Sequence, residues 1–264
     1  MPAMQLPEQK GQSLPRLVEI MQRLLAPNGC PWDREQTLAT LRPYVVEEAH
    51  EVVDAIDGGS PGELREELGD LLLQIVFQAE LARVQGWFGP DDVVDAICDK
   101  LIRRHPHVFG DAVVKDTKEV LANWEVIKAE EKKGRGVLEG VPKALPALLR
   151  ALRVGEKAAR VGFDWPDGAG ARAKVTEELG ELDEALASGD RGAAERELGD
   201  VLFALVSVAR KADIDPEAAL RGTLDRFGQR VRAVESEVIS RGQQLSEVSP
   251  DQLDLLWEAA KSNT

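Results

Sequence analysis

Val45-Val46-Glu47-Glu48-Ala49-His50-Glu51, followed by Glu67-Leu68-Gly69-Asp70, returns 130 residues later as Val175-Thr176-Glu177-Glu178-Leu179-Gly180-Glu181, followed by Glu197-Leu198-Gly199-Asp200. Aligning 45–79 on 175–209 without a gap gives fourteen identities, against about two or three from ordinary residue frequencies. Similarity at a fixed offset is the mark of an internal duplication. The chain therefore reads as an N-terminal module over 1–131, a linker over 132–142 and a C-terminal module over 143–264. The linker segment, Lys132 to Pro142, is charged, glycine-rich and ends in proline, the composition of a connection rather than of a packed element,.

Within each copy the apolar residues recur at helical spacing. Leu64, Leu68, Leu71, Leu72, Ile75, Val76 and Ala79 follow the i, i+3/i+4 rhythm, as do Val201, Leu202, Leu205, Val208 and Ala209,. Asp57-Gly58-Gly59-Ser60-Pro61 and Ser188-Gly189-Asp190 carry the glycine that ends one helix and the polar cap that starts the next,. Further helices are expected over 14–25, 91–103, 117–131, 143–160, 216–240 and 250–260. No long β-branched run is bounded by hairpin turns, so the fold class is all-α, a tandem of helical modules.

Composition narrows the function. The 264 residues hold 33 Lys+Arg against 47 Asp+Glu, a net charge of −14, which disfavours sequence-independent binding of a nucleic-acid polymer. At 43% hydrophobic and 30% charged residues the composition is globular,. No apolar stretch approaches the roughly 20 residues that span a bilayer, and the first fifteen residues lack a basic n-region and an apolar h-region. A cytoplasmic protein with no membrane partner is the expectation. Cys30 and Cys98 stand in neither CxxC nor zinc-ligand spacing and read as ordinary thiols,.

Charge is concentrated where it can do chemistry. Glu48 and Glu51 stand at i and i+3 on one helix, Glu67 and Asp70 at i and i+3 on the next, and the tight turn lays the two antiparallel. Four carboxylates then converge, and so do Glu178, Glu181, Glu197 and Asp200. Like charges at that density repel unless a cation sits among them. Oxygen-only ligation without His or Cys favours Mg²⁺ or Mn²⁺. Glutamate-rich helices are usually no more than solvated faces, but here the acids return at identical spacing while neighbours differ, His50 against Gly180 and Arg65 against Glu195. A second repeat follows: Trp124 and Lys128 match Trp257 and Lys261, and Lys100 and Arg104 match Arg226 and Arg230. A flat indole beside a cation, in a protein with a divalent-metal site, suits a nucleoside triphosphate, whose phosphates the metal bridges to carboxylate.

Together with Arg103-Arg104-His105-Pro106-His107-Val108-Phe109 and Val161-Gly162-Phe163-Asp164-Trp165, these motifs resemble the MazG-type nucleoside triphosphate pyrophosphohydrolases, over about Leu14 to Lys261. The resemblance implies an all-α fold in which a module pairs with another copy into a four-helix bundle, usually in a homodimer. It implies Mg²⁺-dependent hydrolysis of (d)NTPs to monophosphate and pyrophosphate, a nucleotide-pool house-cleaning activity. Its metal ligands fall on Glu178, Glu181, Glu197 and Asp200, and in the first copy on Glu48, Glu51, Glu67 and Asp70. Glu177 and Glu47 take the position nominated to orient or deprotonate water. Nucleotide contacts fall on Lys174, Arg226, Arg230, Trp257 and Lys261, with Lys100, Arg104, Trp124 and Lys128 as the first-copy counterparts of the last four. Tyr44 replaces Lys174 in the first copy, which makes 143–264 the expected centre of turnover.

Two other readings compete. Glu47-x-x-His50 has the form of a di-iron ligand pair, but Gly180 stands where the second copy needs its histidine,. A helical scaffold with solvated acidic faces is the non-enzymatic reading, and it predicts no metal-dependent gain in melting temperature. His105 and His107 have no partners in the second copy and read as structural. No Gly-rich phosphate loop and no Ser–His–Asp pattern is present.

Overall fold

Proline and small polar residues set where the helices begin. In the computed structural model, which describes residues 13–131 and 136–261, every regular element among the described residues is helical. Contacts divide the chain into two compact units, Met1–Lys132 and Lys133–Thr264. In the first unit the order is α1 (Ser13–Leu25), α2 (Pro31–Glu35), α3 (Leu38–Gly58), α4 (Pro61–Val84), α5 (Pro90–Arg104), α6 (Pro106–Phe109) and α7 (Thr117–Glu131). In the second it is α8 (Ala147–Arg160), α9 (Gly168–Ser188), α10 (Arg191–Lys211), α11 (Pro216–Ser240), a 3₁₀ turn at Leu245–Glu247 and α12 (Pro250–Lys261). Proline opens α2, α4, α5, α6, α11 and α12, because its missing N–H is one that the first turn would leave unpaired anyway.

The two central hairpins, α3/α4 and α9/α10, are built alike. Each first helix ends on a left-handed glycine, Gly59 (φ 70°) or Gly189 (φ 74°), whose N–H donates back to Ile56 or Leu186. A polar cap follows at once: Ser60 Oγ accepts from Glu63 N, and Asp190 Oδ1 accepts from Ala193 N. A side chain at φ near +70° is strained, so glycine lets the chain reverse within two residues. The helices of each hairpin pack along their length.

Met21, Leu41, Val76 and Phe77 form the buried core of unit 1, with Leu14, Leu17, Leu24, Leu25 and Leu73 around them. Glu80, fully buried on α4, accepts from Gln22 Nε2 (3.0 Å) and pairs with Arg83 (2.7 Å), which satisfies a charge that would otherwise be costly,. In unit 2, Val234, Val238, Val248 and Ala260 join α11 to α12, with Leu253, Leu256 and Trp257 against them.

The helix expected over 143–160 starts only at Ala147: Pro146 is its N-cap (φ −48°, ψ 142°), the proline ring disfavours helical backbone at the preceding Leu145, and the chain before it runs as turns. The short α2 and α6 and the 3₁₀ turn add one turn each where periodicity has too few residues to register. Of the linker 132–142, residues 132–135 lie outside the described residues, as do 1–12 and 262–264. The part that follows makes a turn through Gly140 (φ 82°) and is tied to α8, where Lys157 Nζ donates to Glu139 O. No helix among the described residues is long and apolar enough to cross a membrane.

Candidate functional site

Because α3 and α4 run antiparallel from the Gly59 turn, Glu48 lies opposite Glu67 and Asp70. One carboxylate oxygen from each of these three lies within 4.8 Å of the others, and the same holds for Glu178, Glu197 and Asp200 on α9 and α10. Three carboxylates at that spacing are a self-repelling set with only oxygen to offer, which fits a hard divalent cation. Glu51 and Glu181 sit one turn along their helices and are not members of these tight sets. Both are still coupled to them: after desolvation and Asp70, Glu51 adds to the upward push on Glu48, and the charge of Glu178 raises the Glu181 pKa above its ordinary value. The exposed Glu47 and Glu177 stand beside the clusters in sequence.

The electrostatics of the two sites differ in one residue. In unit 1, desolvation and then the charges of Asp70 and Glu51 push the Glu48 carboxyl upward. Glu67 is raised by desolvation, Glu51 and Asp70. The main causes of both shifts are desolvation and neighbouring acids, with no cation among them. In unit 2, Lys174 Nζ lies 2.6 Å from Glu178 Oε1 and 2.8 Å from Glu177 Oε1. Its ammonium is held charged above the usual lysine range by these hydrogen bonds. Glu178 is buried, with its side chain 7% exposed, so Lys174 is the counter-charge to an acid that water barely reaches,. The unit 1 counterpart, Tyr44, instead makes an edge contact with Trp32 at 6.3 Å between ring centroids.

The aromatic and cationic residues collect on the later helices of each unit. Trp257 packs on Phe227 (5.2 Å) and carries Arg230 over its ring at 5.9 Å, while Lys261 pairs with Glu258. Arg226, exposed on α11, donates to Thr223 Oγ1 at 3.0 Å. In unit 1, Lys128 lies 4.5 Å over Trp124, whose other neighbour is His105 at 5.6 Å. Arg104 and Arg103 hold Glu131 down to about 2, and Lys100 lines a shallow surface hollow with Phe88 and Ile97. His50 Nδ1 hydrogen-bonds the Val46 carbonyl of its own helix and belongs to neither carboxylate set, and His107 rests against His105.

One arrangement carries no local signature in the sequence. Asp164, in the loop before α9, is bound by both Nη atoms of Arg210 and by Lys211 Nζ (2.7 Å), which holds its carboxyl well below the usual range. Its partners lie 46 and 47 residues away, so only the tertiary fold reveals the clamp.

Residues 36–109 and 169–234 match the MazG nucleotide pyrophosphohydrolase domain. A nucleoside triphosphate pyrophosphohydrolase of Escherichia coli (strain K12) is 45% identical over 252 residues, 93% of this chain and 96% of that protein. The nucleoside triphosphate pyrophosphohydrolase/pyrophosphatase MazG of Thermotoga maritima is 44% identical over 247 residues, 93% of this chain and 94% of that protein. A nucleoside triphosphate pyrophosphohydrolase of Mycolicibacterium smegmatis is 34% identical over 272 residues, 97% of this chain and 72% of that protein.

Proposed function

Because the chain belongs to the MazG nucleotide pyrophosphohydrolase family and is a nucleoside triphosphate pyrophosphohydrolase, we propose that Mg²⁺ serves its reaction and that residues 143–264 carry most of the turnover. The observation that carries this reading is the convergence of Glu178, Glu197 and Asp200 within 4.8 Å, with a lysine on the buried member. The site fits a hard cation by donor chemistry alone: three carboxylates, no sulfur and no imidazole. Glu178, Glu197 and Asp200 would hold the ion, with Glu181 one turn away to complete it. Glu48, Glu67, Asp70 and Glu51 would do the same in unit 1. When bound, Mg²⁺ supplies charge stabilisation to phosphate oxygens and makes water easier to deprotonate.

The chain's own residues supply the rest. Glu177 is exposed, directly precedes Glu178 in the chain and accepts from Lys174, which supports its role in orienting an attacking water and taking its proton,. Lys174 offsets the charge of Glu178 in the free protein and offers the same ammonium to a phosphate when the triphosphate arrives. Arg226, Arg230 and Lys261 bring the further positive charge that a leaving pyrophosphate needs, with Trp257 as the flat apolar surface beside them. Attack by water at the α–β bridge gives nucleoside monophosphate and pyrophosphate without a covalent intermediate, and the physiological task is removal of unwanted triphosphates from the nucleotide pool.

The working form is a homodimer. Leu68, Leu72 and Ile75 are 49%, 39% and 47% exposed on α4, and their counterparts Leu198, Leu202 and Leu205 are 49%, 46% and 47% exposed on α10. Each trio stands at i, i+4, i+7 and forms an apolar stripe on one helix face. Stripes of that kind are uncommon on monomers and suit a second copy packed into a four-helix bundle. Incubation with a nucleoside triphosphate in Mg²⁺ and in EDTA tests the reaction. Monophosphate plus pyrophosphate in Mg²⁺ alone is expected, and diphosphate plus phosphate, or turnover in EDTA, contradicts the assignment.

A further inference from the structure

Three buried side-chain polar atoms have no hydrogen-bond partner among the described residues: Gln74 Oε1, Trp124 Nε1 and Arg210 Nε. Two of these are N–H groups. Gln74 Oε1 alone is an acceptor, an oxygen of the kind that a hard cation and its waters take as partner. Gln74 is only 7% exposed, and a buried polar atom left without a partner calls for one that the chain by itself does not supply. Resting on the divalent-metal reading above, we propose that Gln74 is a positioning residue of the unit 1 metal site, its carbonyl oxygen accepting from the hydration shell of the ion held by Glu48, Glu67 and Asp70. We further infer from the same comparison of units that unit 1 keeps this ion without nucleotide, whereas unit 2 takes its own only with the triphosphate.

Placement on α4 gives the first argument. Glu67, Asp70 and Gln74 stand at i, i+3 and i+7, and at 100° per residue Gln74 falls between the two acids around the helix,. It lies about 6 Å along the axis beyond Asp70, at 1.5 Å per residue. That face is the one turned to α3, since Glu67 and Asp70 converge there with Glu48. One turn further on, Phe77 shares the buried core of unit 1 with Leu41 of α3. Gln74 therefore stands between the carboxylates and the apolar core, at the floor of the acidic site. The opposite side of α4 carries the apolar stripe of Leu68, Leu72 and Ile75.

Comparison of the two units gives the second argument. At the 130-residue offset Gln74 corresponds to Ala204, which is buried, and Tyr44 to Lys174. Unit 2 thus answers its acids with an ammonium, 2.6 Å from Glu178 Oε1, and has a methyl group at the floor. A metal ion entering there competes with Lys174 for the same carboxylate. A triphosphate relieves that competition, because it offers the ammonium phosphate oxygens of its own. Unit 1 has no ammonium at this position, and Tyr44 contacts Trp32 instead. Its floor carries a neutral carbonyl oxygen, which adds no charge and does not compete for the acids.

The chemistry suits a hydrated ion. Mg²⁺ gives up water reluctantly and keeps several of its waters when a protein binds it, and groups that hold the outer shell set affinity almost as strongly as the ligands do. In unit 1 the ion ties α3 to α4 and stabilises the folded unit by linkage. Metal retention in unit 1 and turnover in unit 2 then divide the two roles between copies of one motif.

The test follows Mn²⁺ alone, added without nucleotide to the EDTA-stripped full-length protein, by the EPR signal of the free ion. Melting in EDTA is the control for folding. The unmodified protein should bind Mn²⁺ tightly, Glu48→Gln should abolish that binding, and Glu178→Gln should leave it in place. Gln74→Met, which keeps the length of the side chain and removes its oxygen, should weaken the Mn²⁺ Kd about tenfold or more. It should melt no lower than wild type in EDTA, because no hydrogen bond to Oε1 is lost. Lys174→Met should add a second class of tight binding. An unchanged Kd in Gln74→Met overturns the proposal, and so does nucleotide-free binding that depends on Glu178 rather than Glu48. A Gln74→Met protein that melts well below wild type in EDTA also overturns it, since the amide would then be holding the fold and not the ion. Pyrophosphate release that needs Mg²⁺, in a protein that binds no Mn²⁺ without nucleotide, would refute this inference and leave the metal reading standing. Release in EDTA would refute the metal reading itself.

Discussion

The same substitution at two points of α9 should change stability in opposite directions. Gly170 and Gly180 both lie within the helix, but a Cβ at 170 would meet Trp165 at 2.6, 3.1 and 3.2 Å, whereas one at 180 meets nothing within 4 Å. Glycine in a helix costs about 1 kcal/mol relative to alanine, so Gly180→Ala should stabilise unit 2 by nearly that amount. His50, at the equivalent point of α3, already shows that a side chain is accepted there. At Gly170 the same gain is opposed by overpacking against a ring that the Asp164 clamp keeps from moving, at about 2 kcal/mol. The net is a loss of about 1 kcal/mol. For a unit of this size each kcal/mol moves the melting temperature by about 4 °C, so the two variants should bracket the wild type by some 3–4 °C on either side. Calorimetry on the full-length protein, following the transition that responds to Gly180→Ala, measures both. Equal shifts of the same sign would refute the close packing of Trp165 on α9.

Three further outcomes follow from the charges. Lys174→Met removes the counter-ion of the buried Glu178, so its melting temperature should fall in EDTA and recover toward wild type in Mg²⁺; a deficit equal in both buffers contradicts the role of Lys174 as stand-in cation. Glu48 and Glu67 have folded pKa values raised above the unfolded ones, so their contribution is fully present below about pH 4.5 and is lost as pH rises through the folded values. Glu48→Gln should accordingly match or exceed wild type in metal-free melts at pH 7–8, and a clear loss there would count against crowding of those acids. Asp164 is depressed, so its clamp is fully effective above the unfolded pKa of about 3.9 and weakens as pH falls below it. Wild type should melt several degrees above Asp164→Asn from pH 5 to 8, with the gap closing toward pH 3, and a constant gap would argue against the ion pairs.

The sequence made the hairpins legible because their signals are local and repeated: a glycine able to adopt positive φ, a cap behind it and carboxylates at i, i+3, all recurring at one offset. Spacing fixes a helix face but not a rotamer, which is why Glu51 and Glu181 share the face of the clusters while the tightest convergence omits them. Lys174 was readable as a phosphate ligand, yet at i, i+3 and i, i+4 from two glutamates its resting contacts are internal,. A cavity of ≈ 340 Å³ between α8, α10 and the loop before α9 was hidden for a different reason. It arises from what Ser207, Gly155 and Ala158 do not fill, and its loop is held by Arg210 and Lys211 from far along the chain. Pro146 delays α8 by four residues relative to the apolar pattern, since a cap residue overrides periodicity at a helix start,.

We propose that the Glu178–Glu197–Asp200 cluster drives hydrolysis while its twin in unit 1 contributes little. Steady-state pyrophosphate release by Glu178→Gln and Glu48→Gln in saturating Mg²⁺ measures it most directly. A fall of at least about 100-fold is expected for Glu178→Gln, with most activity retained by Glu48→Gln. A Glu178→Gln protein that turns over at the wild-type rate, or a Glu48→Gln protein that does not turn over at all, would contradict it.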